Sequence, residues 1–211
     1  MTNKALLTIL ICLSVSSILL CQDLKTCTLS TSEQQKGIFK KFQYNSKEDY
    51  HVVDLVLNLN HSFFYEIKSF GYNAYSEGEW KESNDFITLK SSFQSDNLPV
   101  KIIYSPDPSG SKKIDIVQNS KNAQIHDALV YINQDSINCF PDLGCSERTK
   151  DLNIDSVKVA IGEIGSPWIK LSNNNTNHFL IVIETDLDLT HYLVLNEKKY
   201  RLFKSYLKQI N

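Results

Sequence analysis

The stretch that decides the fold is YHVVDLVLNLNHSFFYEIKSFGYNAYSEGEWKESNDFITLKSS, running from Tyr50 to Ser92. Leu55, Leu57 and Leu59 alternate with Val56 and Asn58. After the Asn60-His61-Ser62 turn the chain continues through Phe63, Phe64, Tyr65, Glu66, Ile67 and Lys68, again at period two and rich in β-formers. A third segment, Ala74 to Trp80, places Gly78 two residues before Trp80. The polar run Lys81 to Asp85 then turns the chain into Phe86, Ile87, Thr88 and Leu89. Strands joined by so few polar residues cannot be parallel, because a parallel crossover needs about a dozen residues or more. The expectation is an antiparallel meander with one apolar face.

The order L-x-L, short turn, aromatic strand, Ser-x-Gly-x-Trp, polar turn, I-x-L-x-S is carried by Leu55, Leu57, Phe63, Tyr65, Ser76, Gly78, Trp80, Ile87, Leu89 and Ser91. It resembles a pattern in uncharacterised exported and lipoprotein-like β proteins of the Bacteroidetes type, some described as lipocalin-like. The resemblance covers about a quarter of the chain and implies a lipocalin-like meander. Lipocalins carry Gly-x-Trp on the first strand, whereas here it falls on the third apparent strand, so no ligand cavity is carried over. Gly78 beside Trp80 reads as a backbone accommodation next to a large core side chain.

Flanking segments bound the chain's setting. Met1 to Leu20 holds Lys4 and then a weakly polar to apolar run from Ala5, followed by Cys21, Gln22 and Asp23. This reads as a secretory signal peptide, too short for a comfortable membrane span of about 20 residues. Two outcomes stay open: cleavage after Cys21, leaving Gln22 first, or a lipid anchor on Cys21. Either makes the mature chain extracytoplasmic: secreted, periplasmic or attached to the outer membrane, with a membrane partner only through that anchor. Lys and Arg number 22 against 24 Asp and Glu, so no basic surplus points to nucleic acid.

Cys12 lies in the leader and Cys21 at its edge, leaving Cys27, Cys139 and Cys145. In an oxidising compartment the expected disulfide is Cys139 with Cys145, around the loop Phe140 to Gly144. Cys-x5-Cys without a nearby His is not zinc spacing, so no metal is expected there.

Elsewhere, residues 22–36 read as a polar lead-in, a tether or poorly ordered segment, and Gly37 to Tyr44 as a strand or a helical turn. Pro99 to Ser105 is a strand candidate. The Pro106-Asp107-Pro108-Ser109-Gly110 run is the strongest turn signal in the chain and is taken as a boundary, either a hairpin loop inside one domain or a seam between two. Beyond it, Lys113 to Gln118 and Ala123 to Asn133 carry Ile114, Ile116, Ala128, Val130 and Ile132, which weakly resemble the opening of transthyretin-like, carboxypeptidase-regulatory domains. Val157 to Ile161, Trp168 to Leu171, Phe179 to Thr185 and Leu189 to Leu195 complete a strand series whose turn spacing suits a sandwich or barrel. Lys198 to Ile210 suits either a short helix or an edge strand guarded by Lys198, Lys199, Lys204 and Lys208. The expected architecture is all-β: a signal peptide at 1–21, the lead-in at 22–36, a lipocalin-like antiparallel meander at 37–106, and a small β-sandwich at 112–211.

Chemistry is sparse. There is no Gly-x-Ser-x-Gly, His-Glu-x-x-His, Walker loop or Gly-x-Gly-x-x-Gly, and no cofactor or catalytic residue is assigned. His126-Asp127 are neighbours, and neighbours on a strand point to opposite faces. His178 and His191 flank an apparent hairpin and, with Glu184, Asp186 or Asp188, form the cluster that an alternative reading as a secreted or periplasmic hydrolase or metal-dependent enzyme would need. Asn60-His61-Ser62 and Asn174-Asn175-Thr176 match the N-glycosylation sequon, relevant in a host whose secretory route glycosylates. The remaining resource is aromatic, and it favours a non-enzymatic binding module of the cell envelope. Its expected contact residues are Phe64, Phe70, Tyr72, Tyr75 and Trp80, and its partner a protein, peptide or glycan.

Overall fold

The computed structural model describes residues 23–46, 50–105, 113–134, 137–140, 145–149, 152–172 and 178–210. The leader, the Cys21 anchor position, the Pro106 to Gly110 turn and the Asn173 to Asn175 cluster lie outside them. The chain is all-β. It divides into two compact units: one runs through Ser92 and resumes at Leu195, and the other is Phe93–Val194.

The first unit contains β1 (Leu24–Thr26), α1 (Thr31–Gln35), β2 (Ile38–Ser46), β3 (His51–Asn58), β4 (Ser62–Ser69), β5 (Tyr72–Ser83) and β6 (Phe86–Ser91). The second contains β7 (Val100–Ser105), β8 (Lys113–Asn119), β9 (Leu129–Ile132), β10 (Ile137–Cys139), α2 (Cys145–Thr149), β11 (Ser156–Ile161), β12 (Ile164–Gly165), β13 (Ile169–Lys170) and β14 (His178–Ile183). The chain returns to the first unit for β15 (Lys198–Leu202) and β16 (Tyr206–Gln209).

In the first unit, β1-β2-β3-β4-β5-β6-β15-β16 close into a barrel in which every neighbour is antiparallel. The alternation read from the sequence sets which residues point inward. Val53, Leu55 and Leu57, then Phe63, Tyr65 and Ile67, then Ala74, Ser76 and Trp80, then Ile87 and Leu89 are buried, joined by Leu24, Phe42, Tyr200 and Leu207. Eight strands leave an interior just wide enough for side chains to fill. Leu59 breaks the expected Leu series: at 63% exposure it belongs to the turn.

One sequence expectation changes here and two open ones are decided. The lead-in is ordered. Ser30 caps α1 in a reciprocal box with Glu33, and β1 pairs with both β2 and β16 to close the barrel. Gly37 to Tyr44 is strand, opening β2. The C-terminal segment is two strands rather than a helix, with Tyr200 and Leu207 inside. Those strands are paired on both sides, so the lysines guard no open edge.

Where the barrel strands β6 and β15 pair, the intervening chain of the second unit occupies the place of a hairpin loop. Ser91 joins the two crossing points: its N–H donates to the Leu195 carbonyl at 2.8 Å, and its Oγ accepts from Leu195 N–H at 2.6 Å. Ser76 Oγ lies 2.7 Å from the same hydroxyl.

The second unit holds two small sheets, β10-β9-β11-β12 with β13 also on β11, and β7-β14-β8. Its core includes Ile114, Val130, Ile132, Val157, Val159, Ile161, Phe179 and Ile181. The rule of opposite neighbours fails once, since β8 and β14 run parallel, which the long connection between them permits. The expected boundary at 106–112 falls inside this unit, between β7 and β8. Residues 123–128 are irregular, and β9 spans only the last part of the expected strand. The segment expected as strand at Leu189 to Leu195 begins instead as a 3-10 turn, Leu189–His191, because Asp188 caps it through Thr190 N–H at 3.1 Å. Cys139 and Cys145 are joined by a disulfide with a Cα separation of 5.2 Å. Together with the bond from Arg148 Nη1 to the Asn138 carbonyl at 3.0 Å, it holds α2 to β10.

Candidate functional site

The five aromatic residues singled out in the sequence separate by position. On the outer wall of the barrel, register aligns Lys41, Val56, Phe64 and Glu77 in one cross-strand row and Gln43, Asp54, Glu66 and Tyr75 in the next. Phe64 and Tyr75 are therefore diagonal neighbours, close enough for aromatic side chains to interact. Their rings stack with centroids 6.3 Å apart and planes 25° apart. Phe64 is 38% exposed and Tyr75 half-buried.

Polar groups frame this pair and are held in place. Gln43 Nε2 donates to Asp54 Oδ1 at 2.8 Å, Lys68 Nζ reaches Glu66 at 2.7 Å, and Lys41 Nζ reaches Glu33 of α1 at 3.4 Å. The Glu66 contact raises the pKa of the Lys68 ammonium, and the Ser30 backbone bond, ahead of the Ser30 hydroxyl, lowers that of the Glu33 carboxyl. Phe70 and Tyr72 occupy the β4–β5 hairpin tip, where Gly71 takes a φ of 74° that a side-chain-bearing residue rarely adopts. They are 91% and 50% exposed.

Trp80 leaves the set. Only 4% exposed, it faces the barrel interior at the opposite end from that tip. Its Nε1 donates to the Asn58 carbonyl at 3.0 Å, Phe39 stacks on it at 5.3 Å, and the His61 ring tilts over it at 5.0 Å. Phe39 reaches it from a register shift in β2 between Ile38 and Lys40. Alternation alone could have found this: Trp80 shares parity with Ala74 and Ser76, and Phe64 has the opposite parity from Phe63 and Tyr65.

The histidine and carboxylate cluster is not assembled as expected. His178 begins β14, pairing with Ser105 and Lys113, while Glu184 to His191 follow its far end. Six strand residues at about 3.3 Å each place His178 roughly 20 Å from Glu184. The hairpin that was to bring His178 to His191 does not exist.

What does converge, within the second unit, is an open cleft of about 510 Å³ lined by His126, Asp127, Asp186, Asp188 and Thr190. Two of its carboxylates, Asp186 and Asp188, are engaged. Asp186 accepts from Ser120 Oγ and pairs with Lys121 Nζ at 3.1 Å, and Asp188 binds His191 Nδ1 at 3.1 Å. The Ser120 bond, then the Lys121 bond, lowers the Asp186 pKa, and the His191 bond is the largest influence lowering that of Asp188. His126 reaches this cleft from the irregular 123–128 segment, where periodicity gives no direction, so the sequence did not place it beside Asp186 and Asp188. Among the described residues, no group of three or more His, Cys, Asp or Glu is placed to hold a metal ion. Cys27 is a free, half-buried thiol whose pKa burial raises, which disfavours thiolate chemistry.

The exposed aromatic wall and tip of the barrel thus remain as the candidate surface. No protein-family model, no curated protein and no solved structure matches the chain.

Proposed function

We propose that this chain is an exported, non-enzymatic binding module of the cell envelope whose barrel presents aromatic side chains to a protein partner. The observation that carries the reading is the Phe64–Tyr75 stack on the outer wall, two rings on the face of the barrel away from its buried side chains. Solvent-facing aromatics framed by fixed polar groups are the composition of an interaction surface. Phe70 and Tyr72 extend the same chemistry to the hairpin tip. Asp54, Glu66 and Glu77 lie around the stack together with Lys41 and Lys68, which suits a partner that offers an apolar side chain flanked by polar groups of both signs.

The test compares the wild-type chain with Phe64→Ser/Tyr75→Ser and with Phe70→Ser/Tyr72→Ser, after circular dichroism shows the fold unchanged. Envelope proteins crosslinked to each are identified, and the affinity of the protein captured by the wild type is measured. Truncating a hot-spot ring costs about 2 kcal/mol or more, roughly 30-fold in Kd. Equal affinity for all three chains removes this surface.

A further inference from the structure

The Asn60-His61-Ser62 triplet lies in the β3–β4 turn of the barrel, and the structure gives it more than a sequence match. Residues 59, 60 and 61 are all exposed. Asn60 Oδ1 accepts from Ser62 Oγ at 2.7 Å and from Ser62 N–H at 3.1 Å. Both bonds fall on the oxygen and neither uses Nδ2. The middle residue is exposed with a left-handed backbone: His61 takes a φ of 63°, and its ring lies 5.0 Å from Trp80. The turn is also local, closed by His61 N–H to the Asn58 carbonyl at 3.1 Å and by Asn58 Nδ2 to Ser62 Oγ at 2.9 Å. A five-residue arrangement of this kind is available to the hairpin before the barrel closes.

We propose that Asn60 is an acceptor for an N-linked glycan when the chain passes through a glycosylating secretory pathway, an inference that rests on the export reading above. The donor is an oligosaccharide linked through pyrophosphate to a lipid. Asn60 Nδ2 forms a bond to the sugar C1 as the C1–O bond to the pyrophosphate breaks. The lipid pyrophosphate leaves with the electron pair, and the amide proton passes to a base of the transferase. Hydrogen bonding of Ser62 to Oδ1 draws electron density toward the oxygen and makes the Nδ2 proton easier to lose. In the finished fold the exposed turn leaves the glycan in solvent, beside Leu59, an apolar side chain otherwise open to water. The second sequon, Asn174-Asn175-Thr176, lies outside the described residues.

The experiment expresses the full chain in cultured insect cells, once with its own leader and once preceded by an established secretory leader. Secreted protein is treated with peptide N-glycosidase in heavy-oxygen water and mapped by mass spectrometry. The expected result is a mobility shift on enzyme treatment with a heavy-oxygen aspartate at position 60. In an Asn174→Gln background the shift is lost in Asn60→Asp, which keeps the oxygen acceptor and hence the turn, lost in Ser62→Ala, and retained in Ser62→Thr. Secreted protein with an unmodified Asn60, from either leader, overturns the proposal. Glycan at Asn60 with the added leader, and no secretion with the chain's own, sustains it and overturns the export reading instead.

Discussion

Gly78→Ala is the sharpest test of how the barrel is built. A Cβ at this position would overlap the Lys90 carbonyl oxygen and lie 2.8 Å from both Ser91 Cα and Ser92 N. All three are backbone atoms of β6 and its exit, so no rotamer relieves the contact and the two strands must separate. Overpacking of this kind costs about 1–3 kcal/mol and occasionally more, and a rigid neighbour puts it at the upper end. Against this, alanine in place of glycine restricts the unfolded chain and returns about 0.4–1 kcal/mol. The net expectation is a loss of about 2 kcal/mol. Urea denaturation followed by Trp80 fluorescence, in a Trp168→Phe background so that only the barrel reports, measures it as a lower midpoint at unchanged slope. A midpoint equal to or above wild type would refute the close approach of β5 and β6 from which the loss is derived.

Ser91→Ala removes the bonds to Leu195 N–H and Ser76 Oγ and is expected to cost about 2 kcal/mol. A cycle with Ser76→Ala should show coupling above about 0.5 kcal/mol, and additive effects would count against the shared hydroxyl. Burial, partly offset by the Tyr200 hydrogen bond, pushes the Tyr65 pKa up from 10.0 to about 12, and burial likewise raises that of Tyr200. A raised folded pKa means this stability is whole below pH 10 and is lost as pH rises toward about 12, amounting to about 3 kcal/mol from Tyr65. Tyr65→Phe should flatten that alkaline fall in urea midpoint, and an unchanged slope would refute the assignment. Reducing Cys139–Cys145 opens a short loop, worth about 2 kcal/mol. Hydrogen exchange should quicken in β10 and α2, and unaltered exchange there would show that the disulfide does not hold them.

Sequence legibility tracked the range of the interactions. Within Tyr50 to Ser92 the alternation of Val53, Leu55 and Leu57 with Val56, and of Phe63, Tyr65 and Ile67 with Phe64, gave both the strands and their inner face, because period two is a local property of the chain. Closure was not legible. Leu24-Lys25-Thr26 is too short to show a period, and its partners are Leu207 and Tyr206 at the other end of the chain and Gln43 and Phe42 nearby. The same absence of long-range information put a domain boundary at the Pro/Gly-rich run. A strong turn signal reports only that the chain bends there, not what it pairs with afterwards. Among site residues, exposure of Phe64, Phe70 and Tyr72 followed from parity and turn position. Trp80 carried two readings, a core side chain beside Gly78 and a member of the aromatic contact set, and its burial decides for the first, the one that strand parity supports.

A barrel interrupted between two of its paired strands raises the question of why the interruption is tolerated. Closing a flexible loop of about a hundred residues instead of about five adds a little over four doublings of length, roughly 2–3 kcal/mol of lost entropy. That penalty applies to a disordered loop. Here the second unit has its own core, and its two ends meet: Phe93 and Tyr192 pack edge to face at 5.5 Å, and Phe93 N–H donates to Tyr192 Oη at 3.4 Å. The barrel brings its own ends together independently through Ser91 and Leu195. Each unit therefore fixes the separation of its chain ends by itself, so the other need not supply the closure entropy. β6 and β15 can then pair across the insert as they would across a short turn, which leaves the outer wall at β3 to β5 continuous and its aromatic pair in place.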